Sequence, residues 1–234
     1  MDRVRLALVG CGWMGHRHAK QYGQLVQNGC REFVVTACCD KSEDSAKALA
    51  EEIAGFQDTK PEVLSEAEEL AGRGIADAAD VCVPHCFHHS SAVPLLEGGM
   101  HVLIEKPVGI TIKAGRRIIE AAERNSRILA TAENTRRFLG ARAGRWAIVD
   151  AGLIGEPLAG NVVFVRNAPI NVEDPKFKWR GVKVLTGGGM IMDSGAHFCD
   201  MIRHVFGEIV SYEDVLSGRI HAYQDPIDEY WSLS

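Results

Sequence analysis

The sequence lacks a long uninterrupted apolar run and lacks any block of charges of one sign. Its 26 basic and 31 acidic residues give a formal net charge of −5, and they leave no concentrated basic patch of the kind that binds nucleic-acid phosphates. No apolar stretch approaches the roughly 20 residues that cross a bilayer. We therefore expect neither a nucleic acid nor a membrane as a partner.

Cysteine pairs with the Cys-x-x-Cys spacing are also missing. The seven cysteines are an odd number, form no Cys-x-x-Cys pair and mostly lie in apolar stretches, where cysteine behaves as a small hydrophobic residue. A disulfide framework or a structural zinc site would need a different spacing. The short apolar N-terminus, interrupted by Gly10 and Gly12, predicts a buried strand rather than a signal peptide. We expect reduced thiols, no bound metal and a cytoplasmic location.

Short apolar runs alternate with helical patterns through the first half of the chain. The predicted strands are Val4–Val9, Phe33–Cys39, Ala79–Val83, His101–Ile104 and Ile128–Thr131. The predicted helices are Met14–Gln27, Glu43–Ala54, Ser90–Glu97, Ile112–Asn125 and Arg142–Val149. This alternation predicts right-handed crossovers and a doubly wound parallel α/β sheet with helices on both faces.

The pattern changes after about residue 132 and predicts a second, α+β region. Leu158–Arg166 is a predicted strand, Asn167–Leu185 is irregular, and a glycine run precedes a helix that ends at about Phe206. Further strands are predicted at Ile209–Asp214, Gly218–Tyr223 and Tyr230–Leu233. We expect a first domain over residues 1–131 and a second over residues 132–234.

A glycine motif, Gly10-Cys11-Gly12-Trp13-Met14-Gly15, ends the first predicted strand and opens the first predicted helix. The first glycine permits a tight turn, the second lets the backbone approach a pyrophosphate, and the third allows close helix–strand packing. The helix N-terminus adds N–H groups and a positive dipole end. We predict that Gly10, Gly12, Trp13, Met14 and Gly15 bind a dinucleotide.

Asp40 closes the second predicted strand and is a candidate ligand for the ribose of that dinucleotide. A carboxylate at this position accepts hydrogen bonds from ribose hydroxyls, which favours NAD over NADP. Lys41 and Ser42 follow directly and could accommodate a 2′-phosphate, so NADP is the alternative cofactor. Taken alone, Asp40 would be read as a strand-end or helix-capping residue.

Two further loops follow strands at the edge where parallel sheets bind ligands. Pro84 and His88 lie after the predicted strand Ala79–Val83 and are candidate cofactor contacts, whereas we expect His85 and His89 to be exposed histidines of a helix-entry loop. A zinc site there would lack a further ligand set.

The next predicted strand, His101–Ile104, is followed by Glu105-Lys106-Pro107. A lysine at this edge points toward the cofactor crevice, where burial would lower its pKa into the acid–base range. Pro107 stiffens the turn. Without the glycine motif, the Glu105–Lys106 pair would be read as a solvated surface feature.

In the second region Asp193 and His197 lie four residues apart, and therefore on one face of the predicted helix. Asp193 would orient His197, which would exchange a proton with a substrate hydroxyl. The other readings are a solvated polar helix face and a metal site that lacks an obvious third ligand.

Together these motifs resemble the glucose–fructose oxidoreductase / inositol dehydrogenase / MocA family. The resemblance rests on the glycine motif, on Glu105-Lys106-Pro107, and on Gly187-Gly188-Gly189 followed by Asp193 and His197. Ala132-Glu133-Asn134, Arg137-Phe138 and Trp179-Arg180 add agreement. It implies a Rossmann domain followed by a substrate-binding α+β domain with an open, mostly antiparallel sheet.

The resemblance also implies direct hydride transfer between a nicotinamide and a secondary alcohol or ketone of a sugar, cyclitol or related polyol. Lys106 would contact the reacting oxygen, and His197 would act as acid or base with support from Asp193. Glu105 and Pro107 would lie beside the nicotinamide, and His88 would face the nicotinamide ribose. A homo-oligomer is implied for the full-length form.

Members of that family extend beyond the point where this sequence stops, so we expect an incomplete second sheet with an unpaired edge. Two other functions stay open: a redox-assisted glycoside hydrolase or lyase that retains NAD, and a non-catalytic dinucleotide-binding regulator or scaffold. Lys106, Asp193 and His197 favour an enzyme, and the short C-terminus favours the regulator.

Overall fold

The computed structural model describes residues 3–160, 163, 174, 177–209, 218–219 and 232–233. The chain forms two compact units, Met1–Ala132 and Glu133–Ser234, which we call unit 1 and unit 2. No helix among the described residues is both long enough and apolar enough to cross a membrane.

Unit 1 is built on a parallel sheet of six strands. The strands are β1 (Val4–Val9), β2 (Phe33–Cys39), β3 (Glu62–Leu64), β4 (Ala78–Val81), β5 (His101–Ile104) and β6 (Leu129–Thr131). Their order in the sheet is β3-β2-β1-β4-β5-β6, and every pairing is parallel. The order reverses between β1 and β4, and open sheets of this kind bind ligands outside the carboxyl ends of the strands at that reversal.

Five helices cover the two faces of this sheet: α1 (Trp13–Gln27), α2 (Glu43–Ala54), α3 (Ala67–Arg73), α4 (His88–Glu97) and α5 (Ile112–Arg124). Side chains of β1 alternate between the two cores, because successive residues of a strand point to opposite faces. Leu6 and Leu8 pack with α1 and α2, whereas Ala7 and Val9 belong to the core under α3, α4 and α5. The four inner strands, β1, β2, β4 and β5, are therefore largely buried on both faces, which explains their continuous apolar sequences.

The doubly wound parallel sheet confirms the predicted fold class of the first half. Three of the five predicted strands have the predicted bounds. The strand predicted at Ala79–Val83 begins one residue earlier and ends two residues earlier, and the strand predicted at Ile128–Thr131 begins one residue later. Strand β3 and helix α3 were not predicted, because elements of three and seven residues are too short to show a hydrophobic period. Helix α4 begins two residues before its predicted start.

The described part of unit 2 is mainly helical. Its helices are α6 (Leu139–Arg145), α7 (Lys183–Thr186) and α8 (Gly189–Phe206), with 3₁₀ turns at Thr135–Arg137 and Lys178–Gly181 and a π-helical turn at Trp146–Asp150. Two short strands, β7 (Gly218–Arg219) and β8 (Ser232–Leu233), pair antiparallel. The second half thus contains both helices and an antiparallel ladder, as the α+β prediction requires.

Helix α8 confirms the predicted helix after the glycine run. The helix predicted at Arg142–Val149 begins three residues earlier and changes to the π turn at Trp146. Of the strand predicted at Leu158–Arg166, the described residues 158–160 and 163 are not in a strand, and the remainder lies outside the described residues. The strand predicted at Ile209–Asp214 likewise lies outside them, except for Ile209, which is irregular.

Candidate functional site

The glycine motif forms a tight turn between β1 and α1. Gly10 has φ +95°, and a Cβ built there would lie 2.7 Å from the carbonyl carbon of Cys82. A Cβ on Gly15 would overlap the carbonyl oxygen of Gly10. These two positions therefore need glycine for the turn and for the approach of helix to strand.

Gly12 differs, because a Cβ there would meet no protein atom within 4 Å. It is the N-cap residue of α1, and no side chain among the described residues caps the helix. A concave turn with open space at its second glycine, facing the first turn of a helix, fits a pyrophosphate. Met14 is half-buried in that first turn, and the exposed Trp13 carries the Arg17 guanidinium 4.8 Å from its ring centroid.

Asp40 ties the glycine turn to the end of β2. Its Oδ2 accepts a hydrogen bond from the Cys11 backbone N–H at 2.7 Å, and its Oδ1 accepts one from the Ser42 N–H at 2.8 Å. Each carboxylate oxygen has a second lone pair for a ribose hydroxyl. Asp40 thus has a turn-stabilising role, and ribose binding stays a prediction.

His88, after β4, is fully buried and links two loops of the cofactor edge. Its Nδ1 lies 2.8 Å from the backbone oxygen of Pro107, and its Nε2 lies 3.1 Å from that of Val83. Burial lowers the pKa of His88, although the two carbonyl groups oppose that shift. The ring therefore joins the loop of the half-buried Pro84 to the Glu105-Lys106-Pro107 loop, and its predicted ribose contact stays a prediction.

The expectation that His85 is exposed is wrong. His85 is 5% exposed, and its ring lies edge-on to that of His88 with centroids 5.8 Å apart. His89 is half-buried rather than exposed. The loop after β4 turns inward through a 3₁₀ turn, His85–Phe87, and so buries the first histidine against the second.

Glu105 and Lys106 follow β5 directly, at the carboxyl edge of the sheet. The Glu105 side chain is buried, and its Oε2 accepts the Lys106 backbone N–H at 3.0 Å. Lys106 and Pro107 are half-buried and are joined by a cis peptide bond. The Glu105 carboxylate thus holds the backbone that carries the lysine.

Three residues that the sequence did not predict as part of the site form a hydrogen-bonded group with Glu105. His18 of α1 lies 3.2 Å from Glu105 Oε1 through its Nε2 and 2.7 Å from Asp80 Oδ2 through its Nδ1, and Tyr22 donates to the same Asp80 oxygen at 2.7 Å. Two signals pointed to them: Asp80 is a charged residue within a buried strand, and His18 and Tyr22 share a helix face.

For both His18 and Glu105, the interactions with neighbouring groups outweigh the effect of burial on the pKa. Burial alone would lower the pKa of His18, but hydrogen bonds to Asp80, Cys82 and Glu105 raise it to about 12. Burial alone would raise the pKa of Glu105, but the hydrogen bond and charge of His18, with the charge of Lys106, hold it below its usual value. His18 is therefore an imidazolium between two carboxylates at neutral pH.

In unit 2, His197 of α8 is held by Glu133 and Thr135. Its Nδ1 lies 2.7 Å from Glu133 Oε2 and 2.9 Å from Thr135 Oγ1. A carboxylate at Nδ1 favours the tautomer with the proton on that nitrogen, which leaves the lone pair on Nε2. The arrangement is that of an oriented imidazole base.

Asp193, four residues earlier on α8, forms an ion pair with Arg180 at 2.6 Å. The two side chains are 17% and 13% exposed, so the polar face of α8 is not simply solvated. Arg136 likewise forms two hydrogen bonds with Asp200. The carboxylate at Nδ1 of His197 is thus that of Glu133, and support of His197 by Asp193 stays a prediction.

Profiles of two protein domains match the chain in order. Residues 4–133 match the oxidoreductase family domain with an NAD-binding Rossmann fold, and residues 146–230 match the GFO/IDH/MocA C-terminal domain. A 1,5-anhydro-D-fructose reductase from Ensifer adhaerens is 31% identical over 145 residues, which are 62% of this chain and 42% of that protein. A D-glucoside 3-dehydrogenase from Escherichia coli is 27% identical over 222 residues, 94% of this chain and 58% of that protein.

The fold is also that of solved structures. GenD2 from gentamicin A biosynthesis, solved in complex with NAD, superposes with a TM-score of 0.70 at 20% identity, over 88% of this chain and 54% of that one. The chain spans about half the length of the curated relatives it matches. Since both family domains are matched and the first alone covers more than half of the residues, the chain belongs to the GFO/IDH/MocA family of NAD-binding oxidoreductases.

Proposed function

We propose that this protein is an NAD-dependent dehydrogenase or reductase that acts on a secondary alcohol or ketone of a sugar, a cyclitol or a related polyol. The observation that carries the proposal is Lys106, a lysine at the carboxyl edge of a dinucleotide-binding sheet, with its backbone held by Glu105. A protein that only sensed the dinucleotide would not need an acid–base side chain there.

On this proposal, the residues of unit 1 bind and orient the cofactor. The glycine turn and the first turn of α1 bind the pyrophosphate, and Asp40 binds the adenosine ribose. Glu105, Pro107, Pro84 and His88 shape the nicotinamide end. The bound nicotinamide supplies or accepts a hydride, and the protein contributes orientation and proton transfer. NADP is the alternative cofactor, because Lys41 directly follows Asp40.

The proton chemistry is assigned to Lys106 and His197. In the oxidative direction His197 accepts the hydroxyl proton at Nε2, while Glu133 at Nδ1 stabilises the imidazolium that forms. Lys106 donates a hydrogen bond to the reacting oxygen. In the reductive direction the same groups return the proton. Unit 2 would select the substrate.

The test is turnover of a polyol and sugar panel, followed as NADH absorbance, with binding measured in parallel. Lys106→Ala should reduce turnover by at least about a hundredfold, the usual contribution of a positioned acid or base, and should leave NAD⁺ affinity within a few-fold. Lys113→Ala, an exposed lysine on α5, is the matched control. Full activity in Lys106→Ala would refute the assignment.

The same assay separates the other functions. Cleavage of a glycoside with no net change in NADH would indicate a redox-assisted hydrolase or lyase, and NAD⁺ binding without any product would indicate a regulator. A cytoplasmic location and a homo-oligomeric full-length form are further proposals, which fractionation and light scattering would test.

A further inference from the structure

His18 lies outside the glycine motif and outside the Glu105-Lys106-Pro107 loop, and its ring joins β4 to that loop. Nδ1 lies 2.7 Å from Asp80 Oδ2, and Nε2 lies 3.2 Å from Glu105 Oε1. Asp80 is fully buried in β4 and Glu105 is 8% exposed at the end of β5. A ring that donates from both nitrogens must be an imidazolium, and two flanking carboxylates stabilise that form.

Cys82 Sγ lies 3.5 Å from the same Nδ1, so His18, Asp80 and Cys82 form a group that could in principle bind a metal. The distance between Nδ1 and Asp80 Oδ2 argues against it. Two ligands on a tetrahedral zinc, each about 2.0–2.1 Å from the metal, lie about 3.3 Å apart. The observed 2.7 Å is instead the length of a charge-assisted hydrogen bond.

We propose that His18 is a positioning residue for the nicotinamide end of the cofactor site: it links Asp80 to Glu105 and so fixes the carboxylate that holds the Lys106 backbone. The chain of contacts is continuous. Tyr22 and His18 donate to Asp80, His18 donates to Glu105, and Glu105 accepts the Lys106 N–H. The inference rests on the proposed placement of Glu105 and Lys106 beside the nicotinamide.

The groups that face His18 come from three elements and the loops that follow them. Asp80 belongs to β4, Cys82 follows that strand, Glu105 follows β5, and Tyr22 lies on α1 beside His18. Two carboxylates facing one imidazole raise the pKa of His18 far above its usual value. The hydrogen bond from His18 to Glu105 is therefore present over the whole neutral pH range, and it does not act as a pH switch.

The test separates the two halves of the cofactor by comparing NAD⁺ with ADP-ribose, which lacks the nicotinamide. The amide nitrogen of asparagine overlays Nδ1 of histidine, whereas that of glutamine overlays Nε2. His18→Asn therefore retains the bond to Asp80 and loses the bond to Glu105, and His18→Gln does the reverse. His16→Gln is the matched control, because His16 lies on the same helix with a carboxylate partner, Glu52, at the surface.

We expect His18→Asn to weaken NAD⁺ binding about tenfold, the effect of one charge-assisted hydrogen bond, and to leave ADP-ribose binding within about twofold. His18→Gln should restore most of the NAD⁺ affinity, and His16→Gln should change neither ligand. Equal losses for both ligands in His18→Asn, or no loss for either, would overturn the inference. So would a wild-type protein that binds the two ligands equally well.

A second measurement uses the wild-type protein, so it does not depend on the folding of a variant. The ring ¹⁵N shifts of His18 in the wild type should stay at imidazolium values from about pH 6 to about pH 9, whereas an ordinary histidine titrates near 6.5. A titration within that window would overturn the inference, and so would stoichiometric zinc bound to the wild-type protein. Neither experiment measures polyol turnover. A protein that binds NAD⁺ but oxidises no polyol would therefore refute the proposed function and leave the inference about His18 unaffected.

Discussion

Nδ1 of His197 lies 2.7 Å from Oε2 of Glu133, although 64 positions separate the two residues in the sequence. The contact decides which nitrogen of the ring carries the proton. With the proton on Nδ1, the lone pair of the neutral ring is on Nε2, and a base of defined orientation results. Glu133 is thus a positioning residue for the acid–base role proposed for His197.

Glu133→Gln should lower kcat about a hundredfold, because the amide removes the charge that stabilises the imidazolium. Steady-state kinetics measure kcat and KM, and KM should stay within a few-fold of the wild-type value. Glu156→Gln, an exposed glutamate in unit 2, is the control. An unchanged kcat would show that Glu133 does not act through His197.

The glycine turn gives a pair of substitutions with different expected results. Gly15→Ala should lower the melting temperature of the ligand-free protein, because its Cβ overlaps the Gly10 carbonyl oxygen. Gly12→Ala should leave that temperature nearly unchanged, because its Cβ meets no protein atom within 4 Å.

With NAD⁺ at about a hundred times its dissociation constant, wild type should gain roughly 2.7 kcal/mol of stability, and Gly12→Ala should lose this gain. Thermal unfolding with and without NAD⁺ measures both variants. A cofactor-induced shift that survives in Gly12→Ala would mean that the pyrophosphate does not approach this glycine.

Asp40 offers a test of cofactor preference. Asp40→Asn retains a side-chain oxygen for one backbone N–H of the turn and removes the negative charge that repels a 2′-phosphate. The ratio of NADP⁺ to NAD⁺ affinity should rise about tenfold, equivalent to about 1.4 kcal/mol. Calorimetric titration of both cofactors measures the ratio, with Asp44→Asn on α2 as control. The ribose assignment is wrong if the ratio stays constant.

The ion pair between Arg180 and Asp193 gives a prediction about stability. Asp193→Asn should reduce the free energy of unfolding by about 2 kcal/mol, because it leaves a mostly buried guanidinium without that carboxylate. A double-mutant cycle with Arg180→Gln should show a coupling of about 1 kcal/mol or more. A second double-mutant cycle, between Asp193 and His197, tests the predicted support of His197 by Asp193. A coupling energy larger than that between Asp193 and Arg180 would favour that prediction.

The buried His18 predicts a pH dependence of stability. Its pKa rises from the unfolded value near 6.5 to about 12 in the folded protein. Its contribution is therefore complete below about pH 6.5 and declines as the pH rises toward 12, because the unfolded state binds fewer protons in that window.

The stability difference between wild type and His18→Gln should shrink by roughly 1 kcal/mol per pH unit between about pH 7 and 10. Urea unfolding at several pH values measures it, and His16→Gln should follow the wild type. A difference that does not change with pH would show that His18 is neutral in the folded protein.

Much of unit 1 followed from the sequence alone. The four inner strands of the sheet are largely buried on both faces, so they appear as continuous apolar runs. The glycine motif at the β1–α1 junction marks the turn where a phosphate would bind, because two of its positions have room only for glycine. Strand β3 and helix α3 could not be predicted, because three and seven residues are too few to show the hydrophobic period of a strand or a helix. Unit 2 was less predictable, although the glycine run marked the start of α8.

Local sequence determined where the chemistry-bearing residues lie on strands and helices: Lys106 after β5, and Asp193 and His197 on one face of α8. Only the tertiary structure decided their partners. Glu133 rather than a neighbour on the same helix holds Nδ1 of His197, and His18 reaches Asp80 and Glu105 across 62 and 87 positions of sequence. Helical spacing shows which side chains share a face, but a hydrogen bond forms with whichever group the packing of other elements brings within about 3 Å.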